Sequence, residues 1–244
     1  ILAICLVSIA GNTPATQPPK SGKAYVVSNA HMDTQWLWTV QTSIIDYIPR
    51  TIYQNLALIR DYPNYIFNFE GAIKYNWMKE YYPLDYEKVK EAIKNGRWHV
   101  SGSSWDANDV NVPSPESSFR NILLGQEFYK KEFGLKSTDI FLPDCFGFGY
   151  TLPSIAKHCG LIGFSTQKLG WRKKPFYGDS KIPFTIGRWK GIDGAELICA
   201  LDCGSYVHNF KDDDLTRDND LIQRVERDPM RTAYRYFGAG DRGG

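Results

Sequence analysis

From Lys23 onward, short apolar runs alternate with longer stretches whose apolar residues recur every three or four positions. The short runs, bounded by polar or Gly-bearing turns, predict strands over Ala24–His31, Tyr65–Gly71, Trp98–Ser104, Asp139–Asp144, Gly163–Lys168, Glu196–Cys203 and Tyr234–Gly240. Between them the spacing predicts helices with legible ends. Asp85 is placed to cap a helix carrying Val89, Ala92 and Ile93 that stops at Gly96. Ser114 followed by Pro115 reads as an N-cap with Pro at the first helical position. That helix carries Phe119, Ile122 and Leu123 on one face and ends at Gly134. A further helix begins near Thr151, and Trp171–Lys190, rich in Lys, Pro and Gly, reads as a long surface excursion. Alternating β and α segments predict a mainly parallel sheet covered by helices. Seven strand–helix steps suit a distorted, mainly parallel seven-stranded (β/α) barrel, though an open doubly wound sheet fits the same string.

The first residues differ in kind. Ile1–Ala10 is almost wholly apolar, and Gly11–Ser21 is small, polar and Pro-bearing. That pattern is the end of a secretory leader followed by a cleavage zone and linker, and the run is too short to span a bilayer. The expectation is a leader remnant and linker over 1–22 and an α/β domain over 23–244. The protein would then be exported (periplasmic, secreted or lumenal), with no stable membrane insertion once the leader is removed. A buried N-terminal strand fits the same ten residues.

Composition narrows the function classes. A hydrophobic fraction of 43% with 23% charged residues is that of a chain able to build a globular core. A net charge of +2 without a Lys/Arg block is too small to argue for nucleic acid, and no nucleic-acid partner is expected. Cys145, Cys159, Cys199 and Cys203 show no CxxC or paired spacing, which argues against a disulfide framework or a Cys-based zinc site. The aromatic fraction of 14% serves sugar stacking and ordinary core packing equally well.

Candidate chemistry gathers where the strands end. In parallel α/β folds the active site lies at the carboxyl ends of the strands. His31 and Asp33, Glu70, Asp106, Asp144, Lys168, Asp202 and Asp241 all fall at or near such ends. In an extended chain residues i and i+2 face the same side, so His31 and Asp33 can offer an imidazole nitrogen and a carboxylate to one point. Mixed N/O ligands suit zinc, but the same pair also reads as a solvated strand end. Asp144, in Phe141-Leu142-Pro143-Asp144-Cys145-Phe146-Gly147, can reach a metal, attack an electrophile or cap the following turn.

Taken together, His31-x-Asp33-x-x-Trp36 and Asp144-x-Phe146-Gly147 resemble the family 38 glycoside hydrolases, the class II α-mannosidases. Tyr75-Asn76-Trp77, the Ser101–Glu116 loop and Trp189–Glu196 extend the likeness over essentially all of Lys23–Gly244. The resemblance implies a barrel of the glycoside hydrolase/deacetylase type and retaining hydrolysis of α-mannosidic bonds at a Zn2+ site. It implies His31, Asp33 and Asp144 as zinc ligands, with Asp144 also the nucleophile. Asp241, in Gly238-Ala239-Gly240-Asp241, would be the general acid/base, kept away from the metal in a drier spot. Trp36, Lys168 and Tyr206 are the implied substrate contacts, Lys168 standing where an Arg is common. Cys145 and Phe148-Gly149 depart from the family's usual Pro and His-Ser at those positions. The implied fourth zinc ligand, a His, lies downstream of residue 244. His99 and His158 read as structural, and His208 as a loop residue near the cleft. The alternatives are a metal-dependent carbohydrate deacetylase, which usually needs a HxxxH pair that is absent here, and a non-catalytic carbohydrate-binding domain.

Overall fold

The computed structural model describes residues 5–9, 21–170, 182, 184–211 and 214–244. Its strands are β1 (Cys5–Ile9), β2 (Gly22–Ala30), β3 (Phe67–Glu70), β4 (Trp98–Ser101), β5 (Asp139–Phe141), β6 (Gly163–Ser165), β7 (Ile186–Lys190), β8 (Glu196–Ala200) and β9 (Thr232–Ala239). The α-helical segments are α1 (Val40–Thr42), α2 (Ile48–Asp61), α3 (Ala72–Tyr81), α4 (Pro83–Lys94), α5 (Pro115–Phe133), α6 (Leu152–His158) and α7 (Asn219–Arg227). A π-helical turn, Ser43–Tyr47, joins α1 to α2.

All seven predicted strands are present, with displaced ends, and every ladder between them is parallel. They are divided between two sheets, however, and do not close into a seven-stranded barrel. One sheet has five strands: β2 pairs with β9 on one side, and on the other with β3, which continues to β4, and with β1. The other runs β5-β6-β8-β7. β1 lies inside the segment expected to be leader and linker, where its backbone pairs antiparallel with the first half of β2.

The two seams have local causes. After β4 the chain turns away at Gly102, which has the left-handed φ of 66°. The Asp139 carboxylate then takes the Gly102 N–H, and Ser103 Oγ donates to the Asp139 carbonyl at 2.7 Å. Side chains thus occupy the groups a β4–β5 ladder would use. At the second seam the Tyr236 N–H donates to the Cys203 carbonyl, beyond the end of β8. Val27, Phe141, Ala200, Cys203, Tyr206 and Tyr236 form one buried cluster between the two sheets. Helices cover the outer faces. Phe67, Phe69 and Trp98 pack with Tyr75 and Tyr129, while Ile140, Phe164 and Leu197 pack with Leu152 and Ile155.

Ser114 caps α5 by accepting from the Ser117 N–H, and Gly134 closes it at φ 67°, as the sequence indicates. Its buried face, though, is Ser118, Ile122, Gly125 and Tyr129, while Phe119 and Leu123 are exposed. Small residues turn inward because α5 lies hard against the loop after β4. A Cβ on Gly125 would collide with the Ser103 and Ser104 backbone. Asp85 does not cap α4: the helix starts earlier, at Pro83, and Asp85 sits in its first turn. Of the expected surface excursion, residues 171–181 and 183 lie outside the described residues, and its last part is the strand β7. Among the described residues no helix is long and apolar enough to cross a membrane.

Gly125→Ala tests the α5 contact. Alanine improves helix propensity by about 1 kcal/mol, yet overpacking against immovable backbone costs about 1–3 kcal/mol. Urea unfolding should show net destabilisation; a stabilised variant would mean that the contact is loose.

Candidate active site

β2 delivers His31 and Asp33 just past its carboxyl end, and β9, its parallel neighbour, delivers Asp241 beside them. Backbone hydrogen bonds clamp the two chain ends together, from the His31 N–H to the Ala239 carbonyl and from the Asp33 N–H to the Asp241 carbonyl at 3.0 Å. Buried Asn29 adds a staple: its Oδ1 accepts from the His31 N–H and its Nδ2 donates to the Phe237 carbonyl. Asp241 has φ 62°, a backbone region that Asp tolerates better than most residues and that recurs at functional sites.

His31 is 3% exposed. Its Nδ1 lies 3.0 Å from Glu70 Oε1, and its Nε2 lies 3.5 Å from Asp33 Oδ1 and 3.9 Å from Asp144 Oδ2. Ligand atoms of His31, Asp33 and Asp241 all fall within 4.8 Å of one another. Nε2 is buried and has no hydrogen-bond partner. A buried nitrogen without a partner, facing carboxylates, is what a divalent cation with mixed N/O ligands requires. The residues present fit such an ion.

Asp144 arrives from the turn after β5 and is held by one ion pair and one hydrogen bond. Lys168 Nζ, just past β6, lies 2.6 Å from Oδ1. The Tyr206 hydroxyl lies 2.9 Å from Oδ2 and also 2.6 Å from Asp241 Oδ1. A phenol has one proton to donate, so the two Asp oxygens compete as acceptors for it. Burial first, and then both carboxylates, push the Tyr206 hydroxyl well above its ordinary range, which keeps that proton in place. The Lys168 ammonium sits 5.2 Å from the ring centres of both Phe146 and Tyr206.

The strand-end groups thus separate. His31, Asp33, Asp144, Lys168, Tyr206 and Asp241 converge, and Asp241 comes closer to the prospective cation than expected, while Asp144 leans towards Lys168. Trp36 stands 59% exposed, edge-on to Trp38. Asp106 accepts from Thr34 Oγ1, and Asp202 pairs with Arg224. His208 meets Arg235, His99 is partly buried within β4, and His158 is exposed. Phe146, a position of the Asp144-x-Phe146-Gly147 motif, lines the cleft over His31, Asp33 and Asp144 together with Asn108 and Asp109, which the sequence does not single out. Nor does it single out Lys74, which pairs with Glu70 at 2.8 Å, both fully buried. The one available signal was its i+4 spacing from a strand-end Glu.

A solvent-reaching cleft with paired carboxylates, a buried imidazole and a lysine, at the carboxyl ends of parallel strands, defines an α/β protein with a carboxylate-centred site. The family model for the glycosyl hydrolases family 38 N-terminal domain matches residues 21–242, and the chain belongs to that family. Alpha-mannosidase G of Dictyostelium discoideum is 36% identical over 176 residues, 72% of this chain and 16% of that protein. The Alpha-mannosidase of Saccharomyces cerevisiae is 32% identical over 222 residues, 90% of this chain and 20% of that protein. The chain therefore spans a fifth or less of these relatives' length. An alpha-mannosidase structure from Enterococcus faecalis V583 shares the fold, with a TM-score of 0.74 at 22% identity over 90% of this chain and 25% of that one.

Two ionisable groups carry a pH test. Burial opposes charge on His31, but the Asp33 and Glu70 carboxylates beside the ring raise it from 6.5 to about 9. Burial likewise opposes charge on Glu70, but Lys74 and His31 hold it at about 2 instead of 4.5. In cation-free protein the His31 contribution is complete below pH 6.5 and lost as pH rises through 9. The Glu70 contribution is complete above pH 4.5 and lost as pH falls through 2. Chelator-treated protein should therefore unfold least readily between these limits and lose on the order of 3 kcal/mol by pH 9. Urea titrations at pH 6 and pH 9 check it, and equal stability at both would refute the charged His31.

Proposed function

We propose that this protein hydrolyses α-mannosides with retention of configuration, through Asp144 as nucleophile and Asp241 as general acid/base, at a Zn2+ site. Family membership and relatives named as alpha-mannosidases support the substrate class. The observation that carries the mechanism is the Tyr206 bridge. One hydroxyl bonded at 2.9 Å and 2.6 Å bounds the separation of the two bridged carboxylate oxygens at 5.5 Å. Retaining glycosidases hold their carboxyl groups about 5–5.5 Å apart, whereas inverting ones need about 6.5–9.5 Å for a water.

In the first step Asp144 attacks the anomeric carbon as that carbon's bond to the leaving oxygen breaks. The Asp241 proton goes to the leaving oxygen. In the second, Asp241 takes a proton from water, the water oxygen bonds to the anomeric carbon, and Asp144 is released as carboxylate. Lys168 stabilises the ionised nucleophile before attack and after release, and Tyr206 orients both carboxylates. Trp36 offers a ring face for stacking on the sugar. His31 and Asp33, with Asp144 or Asp241 and a ligand from beyond residue 244, would hold Zn2+. When bound, the ion supplies a template and positive charge for sugar hydroxyls. The deacetylase reading has no support at the site, which has no HxxxH pair.

Asp144→Asn in the full-length protein should abolish turnover of aryl and mannosyl α-mannosides alike. Asp241→Asn should slow an α-linked mannobiose about 10²–10⁴-fold, the usual worth of general acid–base catalysis, and spare an activated aryl mannoside in its first step. Proton NMR of the first-formed sugar should show the α-anomer. A β-anomer, or activity surviving both substitutions, would reassign the carboxylates.

A further inference from the structure

β3 ends at Glu70, and Gly71, at φ 85°, turns the chain at once into α3. The first N–H groups of that helix donate to the Ser104 and Trp105 carbonyls, which fixes its start. Lys74, one turn in, therefore faces back onto Glu70. The result is a buried line of three groups: ammonium, carboxylate and imidazole. Lys74 is 0% exposed and Glu70 2%. Glu70 Oε1 receives Lys74 Nζ at 2.8 Å and His31 Nδ1 at 3.0 Å.

Such a pair is expensive to bury, and apolar residues of similar volume often serve stability as well or better. Core packing alone gives no reason to retain the charges, since Lys74 lies beside the Phe69 ring in the main apolar cluster. His31 supplies a reason. To offer the Nε2 lone pair to a cation, the ring must carry its proton on Nδ1, and that proton needs an acceptor. A Gln in place of Glu70 could flip and present a donor instead. An ionised carboxylate only accepts, and Lys74 keeps this one fixed in the core.

We propose that Lys74 and Glu70 are a positioning pair that sets the tautomer and ring orientation of His31, so that Nε2 is presented to a divalent cation. Neither residue touches substrate. The inference rests on the reading of the site as a metal centre and assigns that site its supporting residues.

The test is Zn2+ affinity in the full-length protein, measured by competition with a chromophoric chelator. Lys74→Met alone leaves the buried Glu70 carboxylate with His31 as its one remaining hydrogen-bond partner among the described residues and destabilises the fold. The informative variant is the double Glu70→Gln/Lys74→Met, which removes both charges at nearly constant volume and whose folding is checked by urea unfolding. Its Zn2+ affinity should fall about 10- to 100-fold, the usual loss for such supporting partners, with an altered visible spectrum of the Co2+ form. A pair that merely stabilises the core would leave both at wild-type values, and that result overturns the proposal alone. Failure of the wild type to bind Zn2+ overturns it together with the metal reading. A second measurement needs no variant: 15N NMR of zinc-loaded, histidine-labelled wild type should show His31 protonated at Nδ1 with zinc on Nε2. Zinc on Nδ1 overturns the proposal.

Discussion

Asp33, Asp144 and Asp241 meet at one end of the parallel strands, and holding three carboxylates together against their mutual repulsion is the constraint the site must satisfy. Parallel strands make the gathering unavoidable, because every carboxyl end points to the same rim. What remains is to compensate the charge. Lys168 takes one oxygen of Asp144, Tyr206 ties Asp144 to Asp241, and His31 faces Asp33. The Asp33–Asp241 backbone clamp prevents the two loops from relaxing apart. A divalent cation would complete this compensation, and the orphaned Nε2 of His31 marks where it belongs.

Division into two sheets does not loosen the arrangement, because side chains bridge the seams where ladders stop. The Tyr206 loop depends on several strands at once. Its N–H donates to Gln167 Oε1 at 2.7 Å, just beyond β6, while the Cys203 carbonyl accepts from Arg235 Nη1 and the Tyr236 N–H of β9. The Tyr206 ring also packs edge-on to the His31 ring, with centres 4.9 Å apart. The one residue that bonds both carboxylates is therefore placed by elements from each sheet, so the site stays fixed across an open seam.

Much of this was legible in the sequence, for physical reasons. Strands with at least one face buried read as short apolar runs, and all seven such runs became strands. β7 was hidden because Arg188 and Lys190 alternate outward along an edge, giving a polar stretch. The inward face of α5 was misjudged because close backbone approach selects Ser118 and Gly125, not large apolar residues. Barrel closure was not legible, since it depends on how β4 meets β5, decided locally at Gly102 and Asp139, and on how β8 meets β9, decided at Cys203 and Tyr236. At the site, residues at strand ends could be named in advance. Lys74 could not, because a lysine one turn into a helix ordinarily reads as solvated.

The two oxygens of Asp144 are not equivalent, and this bears on how the proposed reaction would proceed. Oδ1 is ion-paired with an ammonium at 2.6 Å, Oδ2 accepts from a neutral phenol at 2.9 Å, and in a half-buried site the contact between full charges is the stronger. Oδ2 is thus the oxygen more readily released to attack, and it is also the one facing the His31 side of the cleft. Once bonded to sugar, Asp144 carries no charge, while Asp241, having given up its proton, carries one. The single proton of Tyr206 then has its better acceptor in Asp241, only 2.6 Å away. A rotation of one hydroxyl hydrogen, without movement of heavy atoms, lets the bridge follow the charge from one carboxylate to the other. A rigid bridge of this kind lowers the reorganisation each half-reaction needs, which is how a preorganised polar site accelerates chemistry.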